Sequence, residues 1–134
     1  MKRIMLLRVG LALSLIVLLA GCSSASAAST IFDVTMTGHQ FTPATLDVPS
    51  NAEITVNLIN KSSTSQTWTV MLAPVKGAYT SADAGSIYFD SGPVAPGTSK
   101  LVTFTTPTVT STYPIISTAA GQFQNGMVGK LTVR

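Results

Sequence analysis

The chain of 134 residues holds one cysteine, at position 22, and one histidine, His39. With a single cysteine no disulfide can close within the chain. A single histidine, far from any serine in a recognised pattern, leaves no basis for a serine–histidine nucleophile. There is no Gly-x-Ser-x-Gly and no glycine-rich loop that would cradle a phosphate. Acidic side chains are few: Asp33, Asp47, Glu53, Asp83 and Asp90 are scattered over turns and strand edges, where solvated charge is the ordinary explanation. No paired carboxylates mark a hydrolytic site, so the chain reads as a non-enzyme. No window shows a sustained apolar repeat at helical spacing, which argues against a helical fold.

What is present begins with a targeting pattern. Lys2, Arg3 and Arg8 form a basic head, followed by an apolar stretch from Val9 to Ala20 broken only by Gly10 and Ser14. That run is short for a membrane span, which needs about 20 apolar residues. Leu19-Ala20-Gly21-Cys22 resembles the lipobox of bacterial lipoproteins, and a Ser/Ala-rich tether follows. The resemblance implies a signal peptide over 1–21, cleavage before Cys22, a thioether-linked lipid on its sulfur, and an acylated tether over 22–30. Several acyl chains give lasting attachment where one holds only marginally. The expected location is the cell envelope, lipid-anchored on the outer side of the cytoplasmic membrane or in the outer membrane, with membrane lipid as the partner of Cys22.

Loss of the signal changes the charge balance. Lys2, Arg3 and Arg8 leave with it, and Lys61, Lys76, Lys100, Lys130 and Arg134 then face the five acids, a side-chain balance of zero. The sequence pI of about 9.3 thus belongs to the signal. No nucleic-acid partner is expected.

From Ile31 onward the composition is that of β-structure, rich in Thr, Val, Ile and aromatics and punctuated by Gly and Pro. Ile54-Thr55-Val56-Asn57-Leu58 alternates apolar and polar residues. Trp68, Val70 and Leu72 alternate with Thr69 and Met71, and Val102 and Phe104 with Thr103 and Thr105. Each such strand turns one face to a core and one to water. The expected core is Phe41, Leu46, Ile54, Val56, Leu58, Trp68, Val70, Val102, Phe104, Tyr113, Leu131 and Val133. Turn signals at Pro49-Ser50-Asn51, Asn60 to Ser63, Ser91-Gly92-Pro93 and Ala95-Pro96-Gly97 separate the strands. Short strands so spaced predict an all-β, two-sheet sandwich or Greek-key barrel over 31–134. The segment from Ala73 to Gly92 reads as a long excursion carrying a helical turn or a short strand at Ile87 to Phe89.

The order of these signals resembles the cupredoxins, the small blue-copper proteins. Phe41-Thr42-Pro43-Ala44-Thr45-Leu46-Asp47-Val48-Pro49 is similar to the family's second-strand entry, and Asn60 to the asparagine that ends its next long strand. Val94 to Ser99 followed by Val102-Thr103-Phe104 resembles the turn and strand before the copper loop. Thr112-Tyr113-Pro114 and Gly126-Met127-Val128-Gly129-Lys130-Leu131-Thr132-Val133 resemble the closing pattern. The resemblance implies a cupredoxin-like Greek-key β-sandwich.

It also implies a ligand set, and there the sequence departs. Such proteins hold copper with two histidine nitrogens, a cysteine thiolate and a weak axial methionine. By the resemblance these positions fall at Gln66, Ser117, Gln122 and Met127. Three of the four ligand types are missing: a serine hydroxyl stays protonated near neutral pH, and a glutamine amide is a poor ligand for cuprous ion. The expectation is a degenerate copper site without a cofactor, in which Gln66, Ser117 and Gln122 hydrogen-bond one another in the space of the ion. Met127 is then packing at the end of the loop. His39, on a loop expected to approach the same end, offers with Met127 a weak alternative metal site, and with it copper carriage or electron transfer as the alternative function. The favoured reading is a non-redox binding or structural accessory module with an envelope protein as partner.

Overall fold

The strongest alternation in the sequence builds the central strand of the fold. Ile54, Val56 and Leu58 are fully buried in a strand Glu53–Asn60, while Thr55, Asn57 and Ile59 between them are half-buried on the opposite face. The computed structural model describes residues 30–134. Cys22, the expected signal and the tether up to residue 29 lie outside the described residues.

Nine strands follow in order: β1 Ile31–Thr37, β2 Gln40–Thr42, β3 Thr45–Val48, β4 Glu53–Asn60, β5 Thr69–Met71, β6 Ile87–Asp90, β7 Ser99–Thr105, β8 Ser111–Ile116 and β9 Val128–Val133. One sheet has the order β2-β1-β4-β7 and the other β3-β9-β8-β5-β6. Both are mixed: β1 runs parallel to β4 and β3 parallel to β9, and the remaining neighbours are antiparallel. Their inner faces enclose one core, including Phe41, Leu46, Ile54, Leu58, Trp68, Met127 and Leu131. The all-β sandwich read from the sequence is the observed architecture.

Eleven of the twelve expected core residues are buried, and Phe104 is partly buried against them. Phe104 instead stacks on Phe89 with ring centroids 4.3 Å apart, and both rings meet Trp68 at tilted or edge geometry. Such pairs add to what burial alone contributes.

The alternation assigned to Trp68 through Leu72 breaks. Met71 is fully buried and Leu72 is 54% exposed, the reverse of the expected pattern. Met71 nevertheless keeps to the face opposite Trp68 and Val70: it lies outside their core cluster, on the side of Thr69 and its partner Ile116, which are buried as well, so both faces of β5 are covered and Leu72 is exposed only beyond the strand's end. The register shift in the β5–β6 pairing leaves Tyr88 of β6 as the extra residue. The excursion after β5 forms a 3₁₀ helix, Ser81–Ser86, opened by the Asp83 side chain accepting from the Thr80 backbone N–H at 2.8 Å. β6 then starts at Ile87, where the sequence placed a short strand.

Two residues of the closing pattern have local reasons. A Cβ on Gly129 would lie 2.7 Å from the carbonyl oxygen of Ala44, so only glycine lets β9 pass that backbone. Pro114 sits inside β8 opposite Lys130, whose N–H donates to Ala44 O on the β3 side. The pair is therefore one that exchanges no bonds, and the missing N–H of the proline is not called for by β9.

Candidate functional site

Strand direction gathers the singled-out residues at one end of the sandwich. β1 runs toward that end and is followed by His39; β8 ends there with Ile116 before Ser117; β9 begins there just after Met127; Gln66 precedes β5 there. Gln66, Ser117 and Met127 are fully buried, Gln122 is buried and His39 is exposed.

Gln66 is fixed first by its backbone. Its N–H donates to Val94 O at 3.1 Å and its carbonyl accepts from Val94 N–H at 2.8 Å, an isolated bridge between the entry to β5 and the turn before β7. Its side-chain amide is held from both sides. Ser117 Oγ donates to Gln66 Oε1 at 3.0 Å, and Gln66 Nε2 donates to Thr64 Oγ1 at 3.1 Å and to Ser62 Oγ at 3.4 Å. Ser117 Oγ also accepts from the Thr67 N–H at 3.2 Å. The hydroxyl thus gives its one proton to an amide oxygen and takes one from the backbone, which uses its donor and one acceptor position.

The remaining two positions behave differently. Gln122 does not join Gln66 and Ser117: its Oε1 lies 2.7 Å from His39 Nδ1. The amide oxygen can only accept, so in this pairing Nδ1 carries the proton. The expected three-way bonding of Gln66, Ser117 and Gln122 is corrected here to two separate contacts. Met127 is tied in through its backbone, with its carbonyl accepting from Ser117 N–H at 3.3 Å and its N–H donating to Gln122 O at 3.0 Å. Its side chain belongs to the apolar core.

Around this pair lies polar scaffolding of which the sequence reading singled out only Asn60, as the asparagine that ends a long strand. Asn60, 1% exposed at the end of β4, donates to Thr64 O and Val94 O, both at 2.8 Å, and its Oδ1 accepts from the backbone and the hydroxyl of Ser62. Thr67 and Thr118 bond through their hydroxyls at 2.9 Å, and Thr118 N–H donates to Thr67 Oγ1 at 2.7 Å. Thr69 Oγ1 donates to Asp90 Oδ1 at 2.9 Å. The visible signal was the density of hydroxyls in Ser62-Ser63-Thr64-Ser65-Gln66-Thr67 directly after Asn60. Short side chains with both donor and acceptor capacity, placed where strands end, are suited to pair backbone groups that sheets leave free.

Among the described residues no buried side-chain nitrogen or oxygen lacks a hydrogen-bond partner, no cavity opens, and no three histidine, cysteine or acidic side chains converge as metal ligands.

A family model for cupredoxin-like domains matches residues 10–133. The chain belongs to the cupredoxin-like family. Its fold is similar to that of dithionite-reduced auracyanin from the photosynthetic bacterium Roseiflexus castenholzii, with a TM-score of 0.68 and 22% identity over 81% of this chain and 99% of the other. Auracyanin A from Chloroflexus aurantiacus, described as a blue copper protein, aligns with a TM-score of 0.58 and 22% identity over 76% of this chain and 99% of its own. Rusticyanin from Thiobacillus ferrooxidans gives a TM-score of 0.58 and 19% identity, covering 78% of each chain. At these identities the likeness establishes the cupredoxin fold. A comparison with curated protein sequences gives no match.

Proposed function

We propose that this cupredoxin-like domain is a non-redox binding or structural accessory module, tethered outside the cytoplasm through Cys22, in which the family's metal position has become a hydrogen-bonded polar junction. The observation that carries the reading is the Ser117–Gln66 contact: Ser117 Oγ donates to Gln66 Oε1 at 3.0 Å while accepting from Thr67 N–H. By the resemblance, Ser117 stands where a thiolate would bind copper and Gln66 where an imidazole would. A type 1 copper ion does not fit the donors present. The hydroxyl is protonated, the two amides offer hard oxygen atoms, and Met127 is the one soft donor of the four. Opening the Ser117–Gln66 contact for an ion would also leave the buried Ser117 hydroxyl proton without its acceptor, at a cost of about 1–3 kcal/mol.

The alternative reading, copper carriage or electron transfer, rests on the relatives, among them the blue copper protein auracyanin A. The residue it would recruit here is His39, whose Nδ1 is engaged with Gln122 Oε1. A single exposed imidazole beside an amide offers weak binding at most.

The experiment is metal uptake by the purified domain. Residues 30–134 are expected to retain no more copper after dialysis than an unrelated protein with one exposed histidine. Stoichiometric uptake that disappears in His39→Ala or Met127→Ala would establish the copper-carrier function instead. The anchor has its own test: Cys22→Ser is expected to abolish incorporation of a clickable fatty acid, and equal label in both proteins would refute it.

A further inference from the structure

The two ends of the sandwich differ in what they expose. Ile31 opens β1 and Val109 lies in the connection from β7 to β8, both at the end opposite His39 and Gln122; Leu72 follows β5 on the way to that end, level with the middle of β8 by the β5–β8 register. Ile31, Val109 and Leu72 are 61%, 65% and 54% exposed. The loops of the polar end, around His39, Ser62 to Ser65, Pro96 and Ala119 to Asn125, expose no large apolar side chain; the other exposed ones lie within strands, Leu101 on the flank of β7 at 68%, Tyr88 in β6, and Val128, 46% exposed, at the first position of β9.

The described chain enters at the same apolar end. Thr30 O accepts from Thr55 N–H at 2.8 Å, which fixes the entry point beside Ile31 at the start of β1. Nine steps of chain separate Cys22 from Ile31, and at about 3.3–3.6 Å per residue they reach about 30 Å when fully extended. Turning the domain over would make that tether run the length of β1, whose seven residues span about 20 Å. It would then have to cross a headgroup layer of about 5–7 Å per leaflet. Almost no slack remains, before the loops beyond β1 are counted, and holding any chain segment fully extended costs conformational entropy.

We propose that the end formed by Ile31 and Val109, with Leu72 on the side leading to it, is the membrane-facing surface of this protein, seated on the lipid headgroups, and that the His39–Gln122 end is thereby presented away from the bilayer. The inference rests on lipid attachment at Cys22. Its occupant is a lipid surface, because the tether delivers this end to the bilayer and the exposed groups are aliphatic. The charges at this end are of both signs: Glu53 at the start of β4, Arg134 after β9 paired with Asp47 at 3.2 Å, and Lys76 and Asp83 in the connection from β5 to β6, a mixture that fits a zwitterionic surface better than a strongly charged one.

The absence of cysteine from 23–134 makes the orientation measurable. Acylated full-length protein is inserted from outside into preformed phosphatidylcholine vesicles, as Val109→Cys at the apolar end, Leu72→Cys on the side leading to it, or Gln124→Cys at the polar end. Each is reacted with a bulky polyethylene-glycol maleimide, and the acyl label on Cys22 is read in the same samples. Labelling at positions 109 and 72 is expected to be at least about tenfold slower on vesicles than in detergent, equivalent to ~1.4 kcal/mol of seating, while position 124 reacts alike in both. Equal rates at all three positions on vesicles, with the acyl label present, would overturn the orientation and leave the lipoprotein reading intact. Missing acyl label would overturn both. Protection at 109 and 72 that persists in detergent would contradict a lipid occupant and indicate a protein one.

Discussion

Gln66 and Trp68 stand two positions apart at the entry to β5, and both are essentially fully buried, yet different physics holds each in place. Trp68 is held by non-directional contact with the core and with the rings of Phe89 and Phe104. Gln66 is held by directed bonds to Ser117, Thr64 and Ser62. An aromatic ring gains in proportion to the area it hides. A buried amide contributes little beyond break-even while every partner is present, and becomes a liability when one is lost. The aromatic centre is thus the source of stability, and the polar end is a place where the backbone is kept satisfied between strands.

The largest expected effect follows from the aromatic side of this contrast. Trp68→Ala empties the largest fully buried side chain of the core and should cost about 3–5 kcal/mol in denaturant unfolding. A loss under about 1 kcal/mol would mean that Phe89 and Phe104 hold the centre without it. Ser117→Ala should come next, at about 1–3 kcal/mol, because it leaves both Gln66 Oε1 and Thr67 N–H without the hydroxyl that served them. Hydrogen exchange sharpens this prediction: the Thr67 amide is expected to lose protection in Ser117→Ala while the Val56 amide, within β4, keeps it. Uniform loss across both would show that the polar end is part of the global core.

The smallest effect is expected at the rim. His39 is exposed and its one recorded side-chain bond joins two loops, so His39→Ala should change stability by no more than about 0.5 kcal/mol. A thermal unfolding comparison checks it. A loss approaching that of Ser117→Ala would make the His39–Gln122 contact a structural clamp rather than a surface pairing.

The sequence reveals the parts of the fold that obey a period. Strand β4 alternates cleanly, and its inward residues Ile54, Val56 and Leu58 follow from counting by twos. β5 could not be read that way, because both of its faces are covered: Thr69 and Met71 are as buried as Val70, and alternation marks no water-facing side where neither face meets water. The excursion after β5 carried its own signals, and the short strand at Ile87 was accessible from them. At the polar end, the order of the cupredoxin pattern placed Gln66 and Ser117 together, and the structure has them in contact. The partner of Gln122 was not legible, since an amide can turn to any neighbour and here His39 is 83 residues away in the chain. The roles of Asn60, Thr67 and Thr118 were hidden for a related reason: their bonds serve backbone groups whose vacancy appears only once the strands have ended.

The central claim is that the family's metal position survives here as geometry with its donors exchanged. The most direct measurement is the visible spectrum after adding one equivalent of cupric ion to the wild-type domain and, side by side, to the variant carrying Gln66→His, Ser117→Cys and Gln122→His with Met127 untouched. The account predicts a colourless wild type and an intensely coloured variant, because Ser117 Oγ already lies 3.0 Å from Gln66 Oε1 and the three substitutions supply the thiolate and imidazoles that the resemblance assigns to these positions. Intense colour in the wild type, or a folded variant that takes up copper no better than the wild type, would contradict it.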